Sequence, residues 1–151
     1  MIYTEMTVRA AKIAEQAHRG QFDKGGMPYI YHPLHLAEQM TDEYTAAAAL
    51  LHDVMEDTDV TDAELSAQFP PRVMETLRLL THNPDEDYLE YVKRIRENPD
   101  ARAVKLADLR HNSDISRLNP ADAASPETAK RLEKYRRAIL LLTEKQHTGG
   151  Y

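Results

Sequence analysis

The sequence predicts an all-α fold, a single helical bundle, and three observations carry that prediction. Apolar residues recur at spacings of three and four through nearly every segment. No segment alternates apolar and polar residues with the period of two that a half-buried strand needs. The punctuation is helical as well: hydroxyl, amide or acid side chains precede prolines or lie three residues before a glutamate.

The elements follow in order. Met6, Ala10, Ile13, Ala14 and Ala17 predict a helix over 4–19. GQFDKGGMPYI holds Gly20, Gly25, Gly26 and Pro28 and reads as a loop. A short helix should start near His32-Pro33, because proline suits a first turn. A longer one should run from Asp42 to Met55. Thr61 and Glu64 have the spacing of a capping box. Pro70-Pro71 should open a helix ending near Leu80, and Asn83-Pro84 another reaching Glu97. Pro99 and Asp100 should restart one that runs to Arg117. LNPADAASPET reads as a linker, after which Ser125 and Pro126 cap a final helix over 126–144. The tail KQHTGGY is expected to fray.

Length and composition bound the function. A chain of 151 residues is one ordinary domain with room for a sizeable core. A net charge of -6 argues against a nucleic-acid binder held by phosphate contacts. The charge is uneven, since residues 1–75 carry 5 Lys+Arg against 13 Asp+Glu and residues 76–151 carry 14 against 12. Such halves suit a metal site beside an anion-binding surface, though chance explains them equally well. The absence of cysteine excludes disulfides and thiolate metal sites. The N-terminus lacks the pattern of a signal peptide, and no apolar run approaches the roughly 20 residues of a membrane span. The expected setting is cytoplasmic, with no membrane partner.

One stretch needs a chemical explanation. AAAALL, which reads as a close-packed helix, runs directly into His52, Asp53, Glu56 and Asp57. Burying a carboxylate without a partner costs several kcal/mol, on the order of a whole domain's margin of stability. On a continuous helix His52 and Glu56, and Asp53 and Asp57, are spaced i,i+4, so one helical end presents a ring of nitrogen and oxygen donors. A divalent cation is the natural compensation, because it favours ionised carboxylate and neutral imidazole. Further donors must come from elsewhere. His32 sits between apolar residues at a helix start, where core packing explains it equally well. Asp108 interrupts the apolar pattern of AVKLADLRHN and must find a partner.

HPLHLA, LLHDVMEDT and VKLADLRHN, in this order and at these separations, resemble the HD superfamily of metal-dependent phosphohydrolases. The opening AHRGQ…GGMPYIYHP and the HDVMEDT form are similar to the RelA/SpoT-type hydrolase domain, over about residues 8–118. The resemblance implies an HD-domain bundle that removes pyrophosphate from the 3′ position of ppGpp and pppGpp, in a short form without synthetase or regulatory domains. It implies His32, His52, Asp53 and Asp108 as ligands of a divalent metal, usually manganese. A mixed imidazole and carboxylate set suits manganese, iron or zinc better than magnesium. It implies Glu56 and Asp57 as the pair that positions and activates water, Asn112 beside the substrate ribose and Lys24 in the nucleotide pocket. Lys24, Lys105 and Arg110 are the candidate cations for phosphate charge.

Other residues have plainer expectations. His18 and Gln21 should brace the loop, while His35, His82 and His147 should be surface. Tyr29 and Tyr31 should pack near His32, and KRLEKYRR at 130–137 should be a solvated face, with steering of anionic substrate as its alternative role. Two departures stand out. The family usually has an arginine, stacked on guanine, where this chain has Asp23, and often a serine at Gly25. An acid cannot stack in that way and is expected to repel phosphates. DLRHN also replaces the commoner DRLHN, turning Arg110 by about 100° around the helix. Two alternatives therefore accompany the alarmone reading: a phosphohydrolase of another nucleotide or small phosphate ester, and a catalytically silent domain that binds nucleotide or metal.

Overall fold

The structure is a computed structural model that describes residues 1–144, so the C-terminal tail and His147 lie outside the described residues. Among the described residues all regular structure is helical, with one isolated bridge between Phe22 and Pro28. Helix α1 (Glu5–Ala17) begins where the Thr4 and Thr7 side chains each accept from the other's backbone N–H. Helix α2 (Tyr31–Glu38) leads to α3 (Glu43–Leu51), capped by Asp42, whose carboxylate accepts from Thr45 N at 2.9 Å.

The centre of the bundle is α3. Ala46, Ala47, Ala48 and Ala49 are completely buried, and their small side chains admit neighbours on every side. Helices α1 and α2, together with α6 (Pro71–Leu80) and α8 (Pro99–Asn112), all pack against it. Helices α7 (Tyr88–Arg96) and α10 (Pro126–Thr143) then pack on α8. The acids that follow α3 are thereby delivered from the middle of the molecule to the base of a cleft.

Four boundaries differ from the sequence expectation. The helix expected over 42–55 stops at Leu51, and after an irregular junction one turn, α4 (Val54–Asp57), follows. Asp53 has φ −106° and ψ 0° there. The helix expected from Asn83 starts five residues later, because Asn83 closes a turn with Asp85 N and Glu86 N, while Asp87 caps α7. Helix α8 ends at Asn112, and a 3-10 turn spans Ile115–Arg117. The segment expected as linker contains a helical turn, α9 (Pro120–Ala123), capped by Asn119. The Thr61–Glu64 capping box forms as expected and opens α5 (Asp62–Ser66). Ser125 likewise caps α10.

Candidate metal centre and cleft

Three elements bring four donors together. His32 comes from the first turn of α2, His52 and Asp53 from the junction after α3, and Asp108 from α8. His32 Nε2 lies 2.9 Å from Asp108 Oδ1, and His52 Nε2 lies 3.0 Å from Asp53 Oδ2 and 3.5 Å from Asp108 Oδ1. Successive residues of a regular helix point about 100° apart. The irregular junction at Asp53 is what lets neighbouring His52 and Asp53 side chains meet.

The donor set fits a first-row divalent cation. His52 Nδ1–H donates to the Ala49 carbonyl at 2.7 Å, which leaves the lone pair on Nε2. That Nε2 is buried and makes no hydrogen bond. An orphaned imidazole nitrogen facing two carboxylates is a buried polar group that a cation at this point would satisfy. The electrostatics agree. Burial opposes charge on His52, yet the Asp53 and Asp108 carboxylates outweigh it and hold its pKa well above the usual histidine value. These side chains favour a positive charge between them.

Supporting contacts fix each donor. Burial works to raise the Asp108 pKa, but Lys105 and the two histidines hold it well below the carboxylate range. Lys105 Nζ donates to Asp108 Oδ2 at 3.0 Å, and Asn112 Nδ2 donates to Oδ1 at 3.0 Å. His32 Nδ1 meets His111 Nδ1 at 2.7 Å across stacked rings. Burial, then Arg117 and nearby histidines, push the His111 pKa down to about 4, so His111 is neutral and can accept from His32. The Tyr29 hydroxyl donates to Asp53 Oδ2, and burial followed by that carboxylate raises its pKa. Tyr29 therefore does more than pack. His18 Nδ1 meets Gln21 Oε1 at 2.8 Å and Gln21 Nε2 donates to Asp57 O at 3.0 Å, the bracing expected of that pair.

The cleft above the donors has two lobes, of about 260 and 330 Å³, which meet at Asn112 and Tyr135. Glu56 lines the smaller, metal lobe, where its Oε1 accepts from His82 N at 2.7 Å. Asp53, Glu56 and Asp57 each offer an oxygen within 4.8 Å of one another. Burial, then the Asp53 and Glu56 charges, push the Asp57 pKa up to about 6. Lys24 lines the larger lobe. Arg110 is exposed and lines neither. It lies about 200° around α8 from Asp108. Leu109 takes the buried position, so the inverted order places leucine in the core and arginine in solvent.

Several lining residues escaped the sequence reading. His82 is half-buried in the metal lobe rather than surface, with Tyr88 and Tyr91 against its ring. Arg131 and Lys134 turn into the cleft from the basic run, while Glu133 pairs with Arg136 and Arg137 on the outer face. The helical spacing of 131 and 134 against 133, 136 and 137 was the available signal. Asp23, expected to repel phosphates, is already matched: it accepts from Gly25 N, Met27 N and Arg117 Nη2, each at 2.9 Å.

Together the helical core and the His/Asp cluster define a class. The HD domain model matches residues 10–145, and the chain belongs to the HD domain family, which implies a divalent metal at this cluster. Among its relatives is human guanosine-3′,5′-bis(diphosphate) 3′-pyrophosphohydrolase MESH1, 36% identical over 130 residues that cover 75% of this chain and 71% of that one. A guanosine-3′,5′-bis(diphosphate) 3′-pyrophosphohydrolase of Aquifex aeolicus is 36% identical over 118 residues, 70% of this chain but 17% of the longer protein. A solved structure of a metazoan ortholog of SpoT, described as hydrolysing ppGpp, has a TM-score of 0.75 and 25% identity, covering 97% of this chain and 90% of that one.

Proposed function

We propose that this protein is a metal-dependent phosphohydrolase that removes the 3′-pyrophosphate of the guanosine alarmones ppGpp and pppGpp. The observation that carries the reading is the buried, unpartnered His52 Nε2, aimed with His32, Asp53 and Asp108 at the base of the cleft. The relatives' names give the substrate its chemistry. One domain of this size holds the whole site, and a cytoplasmic setting suits a nucleotide substrate.

His32, His52, Asp53 and Asp108 would hold the ion, with Mn²⁺ the proposed metal. A bound divalent metal lowers the pKa of water towards about 7 in the best case and polarises a phosphoryl oxygen. The chain's own groups supply the rest. Glu56, fixed by the His82 amide, and Asp57 position a water and take its proton. The water oxygen bonds to the 3′-phosphorus, the bond from phosphorus to the ribose 3′-oxygen breaks, and that oxygen takes up the proton that Glu56 and Asp57 removed from the water. Asn112, at the junction of the lobes, contacts the ribose, while Lys24 faces phosphate across the larger lobe. Lys105 keeps Asp108 ionised and occupies its Oδ2, leaving Oδ1 toward the histidines.

A second reading, hydrolysis of another nucleotide, is favoured by Asp23, which stands at the loop position where the family usually has arginine and is paired with Arg117. One experiment separates them. Manganese-reconstituted protein is incubated with a nucleotide panel including ppGpp and the products are identified by chromatography. Release of GDP and pyrophosphate from ppGpp is expected. Intact ppGpp beside turnover of a different nucleotide would replace the alarmone reading with the second one. No turnover of any nucleotide would leave a binding domain.

A further inference from the structure

The larger lobe contains an arginine that the metal chemistry does not use. Its walls come from the 18–30 loop, the turn at Ile115–Arg117 and α10, which are remote in sequence. Its volume of about 330 Å³ falls within the range of about 300–1,000 Å³ typical of small-molecule sites. Phe22 and Ile115 line it with 64% and 43% of their surfaces exposed, and Leu118 and Leu132 add further apolar wall. Arg117 lines the same lobe, its side chain 24% exposed.

Arg117 is held along its edge. Nη1 donates to the His111 carbonyl at 2.9 Å and Nη2 donates to Asp23 Oδ2 at 2.9 Å. A guanidinium bonded along its edge keeps its flat faces for stacking. The partners also decide what it should stack on. Asp23 matches its charge at close range, so Arg117 is poorly placed to act as a net cation for phosphate. Lys24 and Arg131 line the same lobe and lie close enough that Arg131, after burial, helps to lower the Lys24 pKa. Anionic groups belong beside those two residues. A flat, neutral, aromatic group belongs on Arg117, between apolar walls.

The loop is shaped to the same end. A Cβ on Gly25 would come within 2.3 Å of the Arg117 carbonyl oxygen, so only glycine allows the loop to lie against this turn. The Asp23 Oδ1 atom holds the loop itself through Gly25 N and Met27 N. Asp23 and Gly25, the two departures from the family's loop, thus meet the same residue.

We infer that Arg117, positioned by Asp23, is the specificity-determining residue for the nucleobase, which stacks on its guanidinium in the lobe beside the metal centre. The inference rests on the cleft being a nucleotide site but not on the substrate being ppGpp. Its test is therefore equilibrium binding of two probes to the metal-loaded protein, GDP and the base-free ribose 5-phosphate. Arg117→Ala should weaken GDP by about threefold to thirtyfold, the range of an exposed to a desolvated cation–π contact. Ribose 5-phosphate should change by less than about twofold, the scatter between independent sites. Arg117→Lys keeps the charge but not the plane and should weaken GDP by a similar factor, which separates stacking from simple charge. Asp23→Asn should weaken GDP alone and add little in the Arg117→Ala background, as a residue acting through Arg117 must.

Equal weakening of both probes, unchanged GDP affinity, or wild-type protein that binds GDP no better than ribose 5-phosphate would each overturn the assignment. Parallel assay of ppGpp turnover keeps the two readings apart. Base discrimination that depends on Arg117 without ppGpp hydrolysis would sustain this inference and defeat the alarmone substrate. The reverse result would do the opposite.

Discussion

Asp108 shows how much of this site depends on single side chains. It is a buried carboxylate with one oxygen toward the histidines and the other on Lys105, which is itself largely buried. Breaking a buried pair by removing one partner typically costs about 3–5 kcal/mol, because the remaining charge is left uncompensated. Lys105→Met should therefore lower the unfolding free energy by about 3–5 kcal/mol, read in urea as a lower midpoint with the slope unchanged. Added divalent metal should recover part of the loss, since a cation at the centre replaces the missing charge. An equal loss with and without metal would mean that Lys105 supports packing rather than Asp108. His111 makes a different claim, since it touches a donor only from behind. Removing such a partner of a metal-bound histidine usually costs about 10–100-fold in metal affinity. His111→Ala should weaken metal binding by that factor in a titration while leaving the fold's circular dichroism intact, and unchanged affinity would reduce the His32–His111 contact to packing.

At the scale of elements, boundaries written in local chemistry were legible and boundaries imposed by packing were not. Thr61 with Glu64, Pro70-Pro71 and Ser125-Pro126 each announce a helix start through their own side chains, and each start is found there. Asn83-Pro84 carries the same vocabulary but spends it on a turn. The helix proper waits for Asp87, after which Tyr91, Val92 and Ile95 supply a buried face. Asp87→Ala should accordingly cost about 1 kcal/mol, the usual value of an N-cap. Asn83→Ala, measured in the same denaturant titration, should cost distinctly less. The opposite order would restore Asn83 as the cap. The break after α3 had no local signal at all, because AAAALLHDVMED contains neither glycine nor proline. It lies where the chain reaches the cleft, and it converts a predicted ring of i,i+4 donors into adjacent His52 and Asp53 pointing at one place.

For the whole molecule, Asp108 and the His52-Asp53 pair stood out as polar residues in an apolar pattern, whereas His32 joined them only through the family resemblance. The cleft did not stand out, because its walls are set by which helix faces meet. His82, Arg117 and the α10 residues Arg131 and Tyr135 line it from three separate segments. No spacing within one segment encodes that meeting. The central claim is that His32, His52, Asp53 and Asp108 form a single metal centre on which hydrolysis depends. The most direct measurement is metal content by mass spectrometry, taken alongside ppGpp turnover, for wild type, Asp53→Ala and Glu56→Gln. Wild type should carry one ion per chain, and Asp53→Ala should lose the ion and the activity together. Glu56→Gln should keep the ion while kcat falls by on the order of 10²–10⁴, the range for a lost proton acceptor. Turnover that persists in metal-free Asp53→Ala would contradict the account.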